Sequence, residues 1–310
     1  MTNLMIKETF SKFKEPLLFS RVDSSHHIDW FFGLNEEGKK TVKLRATFTP
    51  KRFKETGAIK ISHFKGSKFN TLQFTLENDS FANMYFWLIS DFVNSTRSIE
   101  SNEVYAFIHE RFNKWRLMFL QKNINILSEI KMTGLIGEIK FLTSYMFEKY
   151  GVAKSIYSWS SSDQTSKDFS IENTWYEVKT TGGNGLTVKI SSLEQLDSEV
   201  DGELVVVHVE KRSPEFNGIT LNKLILETIE SIDDYELANL FIAKITDLGY
   251  TFNEIYDQTV YSFKTMKRYI VNNDFPRLTR HIISPSIARV EYDIVLANLN
   301  DYLIEEENND

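Results

Sequence analysis

T-S-K-D-F-S-I-E-N-T-W-Y-E-V-K-T-T, residues Thr165 to Thr181, reads as two short apolar strands around a tight turn at Glu172 to Thr174. Asp168 opens the first strand. On the second, Glu177 and Lys179 share a face, because residues two apart on a strand point the same way. Two carboxylates beside a lysine are the donor set of a metal site with a cationic clamp. A long apolar helix, Leu127 to Tyr150, precedes them and brings a further carboxylate, Glu138, in T-G-L-I-G-E-I-K-F-L. Ser128 suits its N-cap, and Lys149, Tyr150 and Gly151 suit its end. Gly134 and Gly137 interrupt the helix at a cost of up to ~1 kcal/mol each relative to alanine. Close approach of helix to sheet is the simplest compensation, since three-residue spacing puts both glycines on roughly one face.

Working outward, K-S-I-Y-S-W (Lys154 to Trp159) reads as a strand, followed by the loop S-S-S-D-Q-T-S-K. T-G-G-N-G after Thr180 reads as a hairpin turn, because it lacks the G-K-[ST] ending of a phosphate loop. Then come a strand T-V-K-I-S-S (Thr187 to Ser192), a helix start S-S-L-E-Q-L, and a buried strand E-L-V-V-V-H-V-E (Glu203 to Glu210). Helices and strands in this order make an α/β layered core, a mixed sheet flanked by helices, within a chain that is α+β overall. Thr220 to Gly249 forms two amphipathic helices. From Tyr250 the pattern is strand-rich, and the acidic end E-E-E-N-N-D from Glu305 is expected to fray.

Residues 1–79 read as a smaller β-rich domain, 80–125 as a helical connector, and 126–310 as the domain carrying the site. Strand alternation appears in V-K-L-R-A-T-F-T, I-K-I-S-H-F and L-Q-F-T-L, with lysines and arginines on the polar side. Phe81 to Asn94 and Val104 to Leu120 show helical spacing, and Trp115, Arg111 and Arg116 belong to a helix rich enough in aromatics to be core. The domain boundary is placed near Asn125. His26 and His27 are adjacent, so on extended chain they point apart and read as surface histidines rather than shared ligands.

At 310 residues, 42% apolar and 25% charged, the chain is long enough for two soluble domains. It has no cysteine, which excludes disulfides and thiolate metal sites. It shows no signal peptide and no apolar run of membrane-spanning length, so a cytoplasmic protein is expected. The net charge of -7 is unevenly spread: between Lys39 and Lys68 ten basic residues face Glu55 as the single acid. A polyanion responds to that local field rather than to the total. Lys43, Arg45, Lys51, Arg52, Lys54 and Lys60 are the candidate DNA contacts, with a solvated sheet face as the plainer account.

Phosphodiester hydrolysis needs an in-line water and stabilisation of charge on the phosphate oxygens, both of which a hard divalent ion supplies. Magnesium takes oxygen ligands and keeps several waters, so Asp168, Glu177 and the Val178 carbonyl make a sufficient cradle, with manganese able to substitute. Glu138 would hold a second ion or an ion-bound water. Lys179 would orient the attacking water or neutralise the phosphate.

Asp168 with Glu177-Val178-Lys179 resembles the signature of the PD-(D/E)XK nuclease superfamily, with Lys167 standing where the proline would be. The order W-R-L at Trp115, the Leu127 helix, D-F-S-I at Asp168, Y-E-V-K-T-T at Tyr176, I-S-S-L-E-Q-L at Ile190, D-F-P-R at Asp274 and V-E-Y-D-I at Val290 is similar to a family of PD-(D/E)XK proteins found in bacterial restriction-modification and phage-defence gene clusters. The resemblance implies a restriction-endonuclease-like fold, and Glu138, Asp168, Glu177 and Lys179 as the catalytic site with Gln195 as an accessory. It gives no role to Asp274, Phe275, Pro276 and Arg277.

It further implies a magnesium-dependent endonuclease acting on double-stranded DNA in a restriction-type defence system. Partner ATPase or methyltransferase subunits belong to that setting, and a homodimer would supply one site per strand. The competing expectation is a nuclease fold that binds DNA or a partner without cutting, since folds outlive their chemistry.

Overall fold

The computed structural model describes residues 3–21, 23–54, 56–119, 126–160, 166–182 and 185–308. The chain divides into two units, Met1–Asn125 and Ile126–Asp310. Glu55, the Asn125 boundary, most of the loop between Trp159 and Asp168, and the centre of T-G-G-N-G lie outside the described residues. No helix among the described residues is long and apolar enough to cross a membrane.

The first unit begins with α1 (Asn3–Ser11) and builds an antiparallel sheet from β1 (Phe19–Arg21), β2 (Asp29–Leu34), β3 (Lys40–Ala46), β4 (Ile59–Phe64) and β5 (Asn70–Leu76), in the order β1-β2-β3-β5-β4. Alternation sends Val42, Leu44, Leu72 and Phe74 to one face, where all four are fully buried. Two helices, α2 (Ala82–Ser95) and α3 (Val104–Trp115), cover that face. The Phe74 ring lies 5.3 Å from Phe92 and 5.8 Å from Phe112. Residues 80–119 are therefore part of this unit's core rather than a separate connector, because the sheet's apolar face has to be covered.

Asp91 holds α3 in place by pairing with Arg111 and accepting the Trp115 indole N–H at 2.8 Å. His26 corrects the surface reading. It is buried, its Nε2 is 2.9 Å from the Val93 carbonyl, and its Nδ1 accepts the Ile28 N–H at 3.0 Å. His27 is exposed.

The second unit opens with α4 (Glu129–Phe141), capped by the Ser128 hydroxyl. It runs through a π-turn (Leu142–Met146) into α5 (Phe147–Tyr150), and Gly151 turns the chain at φ +79° into α6 (Val152–Ser158). The stretch read as a strand at 154–159 is thus mostly helix. Six residues are too few for periodicity to decide, and the Ser155 hydroxyl bonds back to the carbonyls of Met146 and Gly151, both at 2.7 Å.

Then follow β6 (Phe169–Ile171), β7 (Thr174–Gly182), β8 (Thr187–Ile190), β9 (Gly202–Arg212), α7 (Leu221–Ser231), α8 (Tyr235–Asp247), β10 (Val260–Val271), β11 (Tyr292–Val295) and β12 (Leu303–Asn308). The main sheet has the order β12-β10-β9-β7-β6, with β7 and β9 parallel and the other pairs antiparallel, while β8 and β11 form a separate two-stranded sheet. The fold is mixed α+β, a mixed sheet flanked by helices. Central β9 is apolar on both faces, as a strand covered on both sides must be.

T-G-G-N-G accordingly does not close a hairpin, since the strands it joins lie in different sheets. The helix expected at S-S-L-E-Q-L is a single 3-10 turn, Leu193–Gln195. The acidic tail does not fray over Glu305 to Asn308 but forms the end of β12 (Leu303–Asn308) on β10, with Glu306 3.2 Å from Lys267 and Glu305 paired with Arg268. Opposite charges across strands stabilise such an edge.

Close helix approach falls to one of the two glycines. A Cβ on Gly137 would sit 1.9 Å from Thr180 Oγ1, whereas one on Gly134 would meet nothing within 4 Å.

Candidate active site

Strand β7 sorts its side chains by parity. Tyr176 and Thr180 face α4, with the Tyr176 ring 5.2 Å from Phe141, while Trp175 packs into the apolar cluster of Ile190, Leu196, Leu204 and Val206 on the other face. Glu177 and Lys179 share the Trp175 face, and Lys179 Nζ reaches Glu177 Oε1 at 2.8 Å. The same ammonium donates to Gln195 Oε1 at 3.1 Å, and that oxygen also accepts the Ser191 N–H at 2.8 Å.

Asp168, immediately before β6, joins from the side: its Oδ2 accepts the Val178 N–H at 2.7 Å. Val178 was expected to contribute its carbonyl; the contact it makes toward the site is this donated N–H. Glu138, at the position after the close-packed Gly137, accepts the Trp159 indole N–H on Oε2 at 2.8 Å. Lys179 thus joins Glu177 and Gln195 directly, and Asp168 and Glu138 lie near enough for their charges to be felt there.

The charges there are strained. Burial pushes the Glu177 carboxyl up to about 8, with the negative charge of Asp168 adding to the shift and Lys179 opposing it. Glu138 is raised well above its ordinary value by burial and then by Asp168 and Glu177. Asp168 is raised by burial, against the pull of the Val178 N–H, Lys179 and Lys167. Glu177 Oε2 is buried and has no hydrogen-bond partner among the described residues. Three mutually repelling carboxylates and an orphaned buried oxygen are what a hard cation would relieve, so the donor set fits a divalent ion.

No three His, Asp or Glu side chains among the described residues form a ready-made cation cage. Magnesium does not need one, because it binds through one or two carboxylates and keeps its waters.

Three contributors escaped the sequence reading. Lys167 lies 3.7 Å over the Trp175 ring and donates to the carbonyls of Glu194 and Gln195, each at 2.7 Å, and of Asp197 at 3.3 Å. Burial pulls its ammonium down to about 8, against the attraction of Glu177. Arg277 donates to the Leu196 carbonyl and, at 3.4 Å, to that of Ser198. Together they pin the turn that presents Gln195 to Lys179. Trp159, which ends α6, orients Glu138. The one available signal was the D-F-P-R motif containing Arg277; nothing in the spacing links Lys167 to a turn 27 residues on.

The candidate DNA contacts lie in the first unit and fall into two groups. Lys43 and Arg45 project from the face of β3 opposite the core, Lys43 Nζ 3.4 Å over Phe19 and the Arg45 guanidinium 4.7 Å over Phe31. Lys51, Arg52 and Lys54 are not on a strand but on the segment before edge strand β4, where Lys60 joins them around a cavity.

A family model described as "Putative PD-(D/E)XK family member, (DUF4420)" matches residues 4–297. No curated protein and no solved structure matches the chain.

Proposed function

From the premise that this chain belongs to the DUF4420 family of PD-(D/E)XK proteins, we propose that it is a magnesium-dependent endonuclease for double-stranded DNA, working as a subunit of a restriction-type anti-phage system. The observation that carries the reading is the meeting of Glu138, Asp168 and Glu177 around Lys179, with Glu177 Oε2 buried and unpartnered. A surface ion pair would not collect three carboxylates at the cost of raising all their pKa values.

Asp168 and Glu177 would hold the ion, with Glu138 holding a water bound to it or a second ion. A bound divalent ion would supply a water acidic enough to attack and a positive charge opposite the phosphate oxygens. The chain's own contribution is position. Trp159 fixes Glu138, the Val178 N–H fixes Asp168, and Gln195 holds Lys179 so that its ammonium stays beside Glu177. From there Lys179 would orient the attacking water and offset charge on the phosphate. The cations of the first unit would bind the duplex backbone, independently of sequence.

The test is cleavage of plasmid DNA with magnesium or manganese by the wild type, Lys179→Ala and Asp168→Ala. Nicking or linearisation by the wild type alone supports the enzyme. Retention of DNA without cleavage under either ion replaces it with a nuclease-fold binding subunit, and absence of binding at low salt removes DNA altogether.

A further inference from the structure

Apart from the carboxylate site, the first unit has a cavity of about 660 Å³ between the segment 50–54 and edge strand β4. Its buried wall is Phe53 and Ile59, with half-buried Ile61 and His63 beside them. Its exposed rim carries Lys51, Arg52, Lys54 and Lys60. Among the described residues these four cations make no ion pair, whereas Lys39 is held by Glu37 and Glu77 and Lys40 by Asp79. Glu77, the acid lining the cavity, is therefore already engaged, at 2.5 Å from Lys39.

The cavity is built rather than incidental. The Lys51 N–H donates to the Tyr105 hydroxyl at 2.6 Å, and that hydroxyl lies 3.0 Å from His63 Nε2. Phe53 is driven into the core, its ring 4.7 Å from His109 and 5.5 Å from Phe112. With the segment anchored at Lys51 and Phe53, the side chains of Arg52 and Lys54 are left exposed.

An apolar wall under a rim of four cations suits an anion with a flat apolar body. The volume is that of an ordinary small-molecule pocket, well beyond what a lone phosphate needs. We infer that this cavity takes up a single nucleotide, its base against Phe53, Ile59, Ile61 and His63 and its phosphate on the lysine and arginine rim. The inference rests on the DNA reading above for one of two sources of that nucleotide, a residue swung out of a bound duplex; the other is a free mononucleotide. A duplex would give up stacking to place a base there.

The probes are dAMP, dGMP, dCMP and dTMP, titrated calorimetrically, and a duplex bearing one 2-aminopurine, whose emission rises on leaving the stack. Both use the full chain without metal. Saturable mononucleotide binding is expected, weakened about tenfold or more when Lys54→Gln and Lys60→Gln remove two charged donors and likewise by Ile61→Trp, which fills the space without touching a charge. A rise in duplex emission that Ile61→Trp abolishes assigns the source to the duplex; mononucleotide binding with flat emission assigns it to the free pool. No mononucleotide binding and flat emission in the wild type overturns the inference, as does binding indifferent to both variants. Because the readout requires neither magnesium nor Lys179, a protein that never cuts but binds mononucleotides here keeps the cavity and loses the nuclease. One that cuts and binds none does the reverse.

Discussion

Lys167 links the candidate site to the turn that serves it. Its ammonium ties down the carbonyls of Glu194, Gln195 and Asp197, so its loss would free Gln195 and with it the partner of Lys179. Lys167→Ala should lower the cleavage rate by about 10- to 100-fold, the usual cost of removing an outer-shell partner. The affinity of the metal-free protein for the same duplex should stay unchanged, and single-turnover kinetics beside a binding titration separate the two. His26 makes a different kind of prediction. Burial, opposed by the Val93 carbonyl and assisted by Arg97 and His27, lowers its pKa below the ordinary 6.5. The unfolded chain then binds the proton more readily, so stability is full above about 6.5 and is lost as pH falls toward the folded value. Thermal melts from pH 7.5 to 5.5 should show this loss, and His26→Gln should flatten it. Glu177 and Lys179 could be read in advance because a strand's two-residue period forces them onto one face. Lys167 and His26 could not, since their partners are carbonyls 27 and 67 residues away.

The helix running from Glu129 through the π-turn to Tyr150 and strand β7 set the site's geometry, and Gly137 is the point where they meet. Gly137→Ala would drive a methyl group into Thr180 and should cost about 1–3 kcal/mol, as overpacking does. It should also displace Glu138 and lower activity. Gly134→Ala meets open space and should stabilise by up to ~1 kcal/mol through helix propensity. Chemical denaturation of the two variants checks the opposite signs. Both glycines looked alike in the sequence because spacing reports a shared face, not the distance to the neighbouring strand. The misread segment 154–159 and the tail from Glu305 fail for related reasons. A short apolar run lacks a period, and an acidic composition suggests solvent until the opposing Lys267 and Arg268 are known.

At the level of the chain, a net charge of -7 coexists with a cationic rim on the first unit. Charge reversal at Lys51, Arg52 and Lys54 should weaken binding by a similar factor across DNA sequences and flatten the salt dependence, with the logarithmic slope falling by about 0.9 for each phosphate no longer neutralised. Titrations from 50 to 200 mM salt measure the slope, and an unchanged one removes these residues from the interface. Within the second unit the acidic tail is set apart from the candidate site. The glutamates of β12 border the sheet at one margin, and Glu177 with Lys179 stands three strands away on β7. Three interstrand spacings come to roughly 14 Å, beyond the ~8 Å over which dissolved salt lets one charge be felt by another. The acidic margin and the carboxylates gathered near Lys179 are therefore electrically separate, so charge added or removed on β12 should leave the field at the candidate site nearly unchanged.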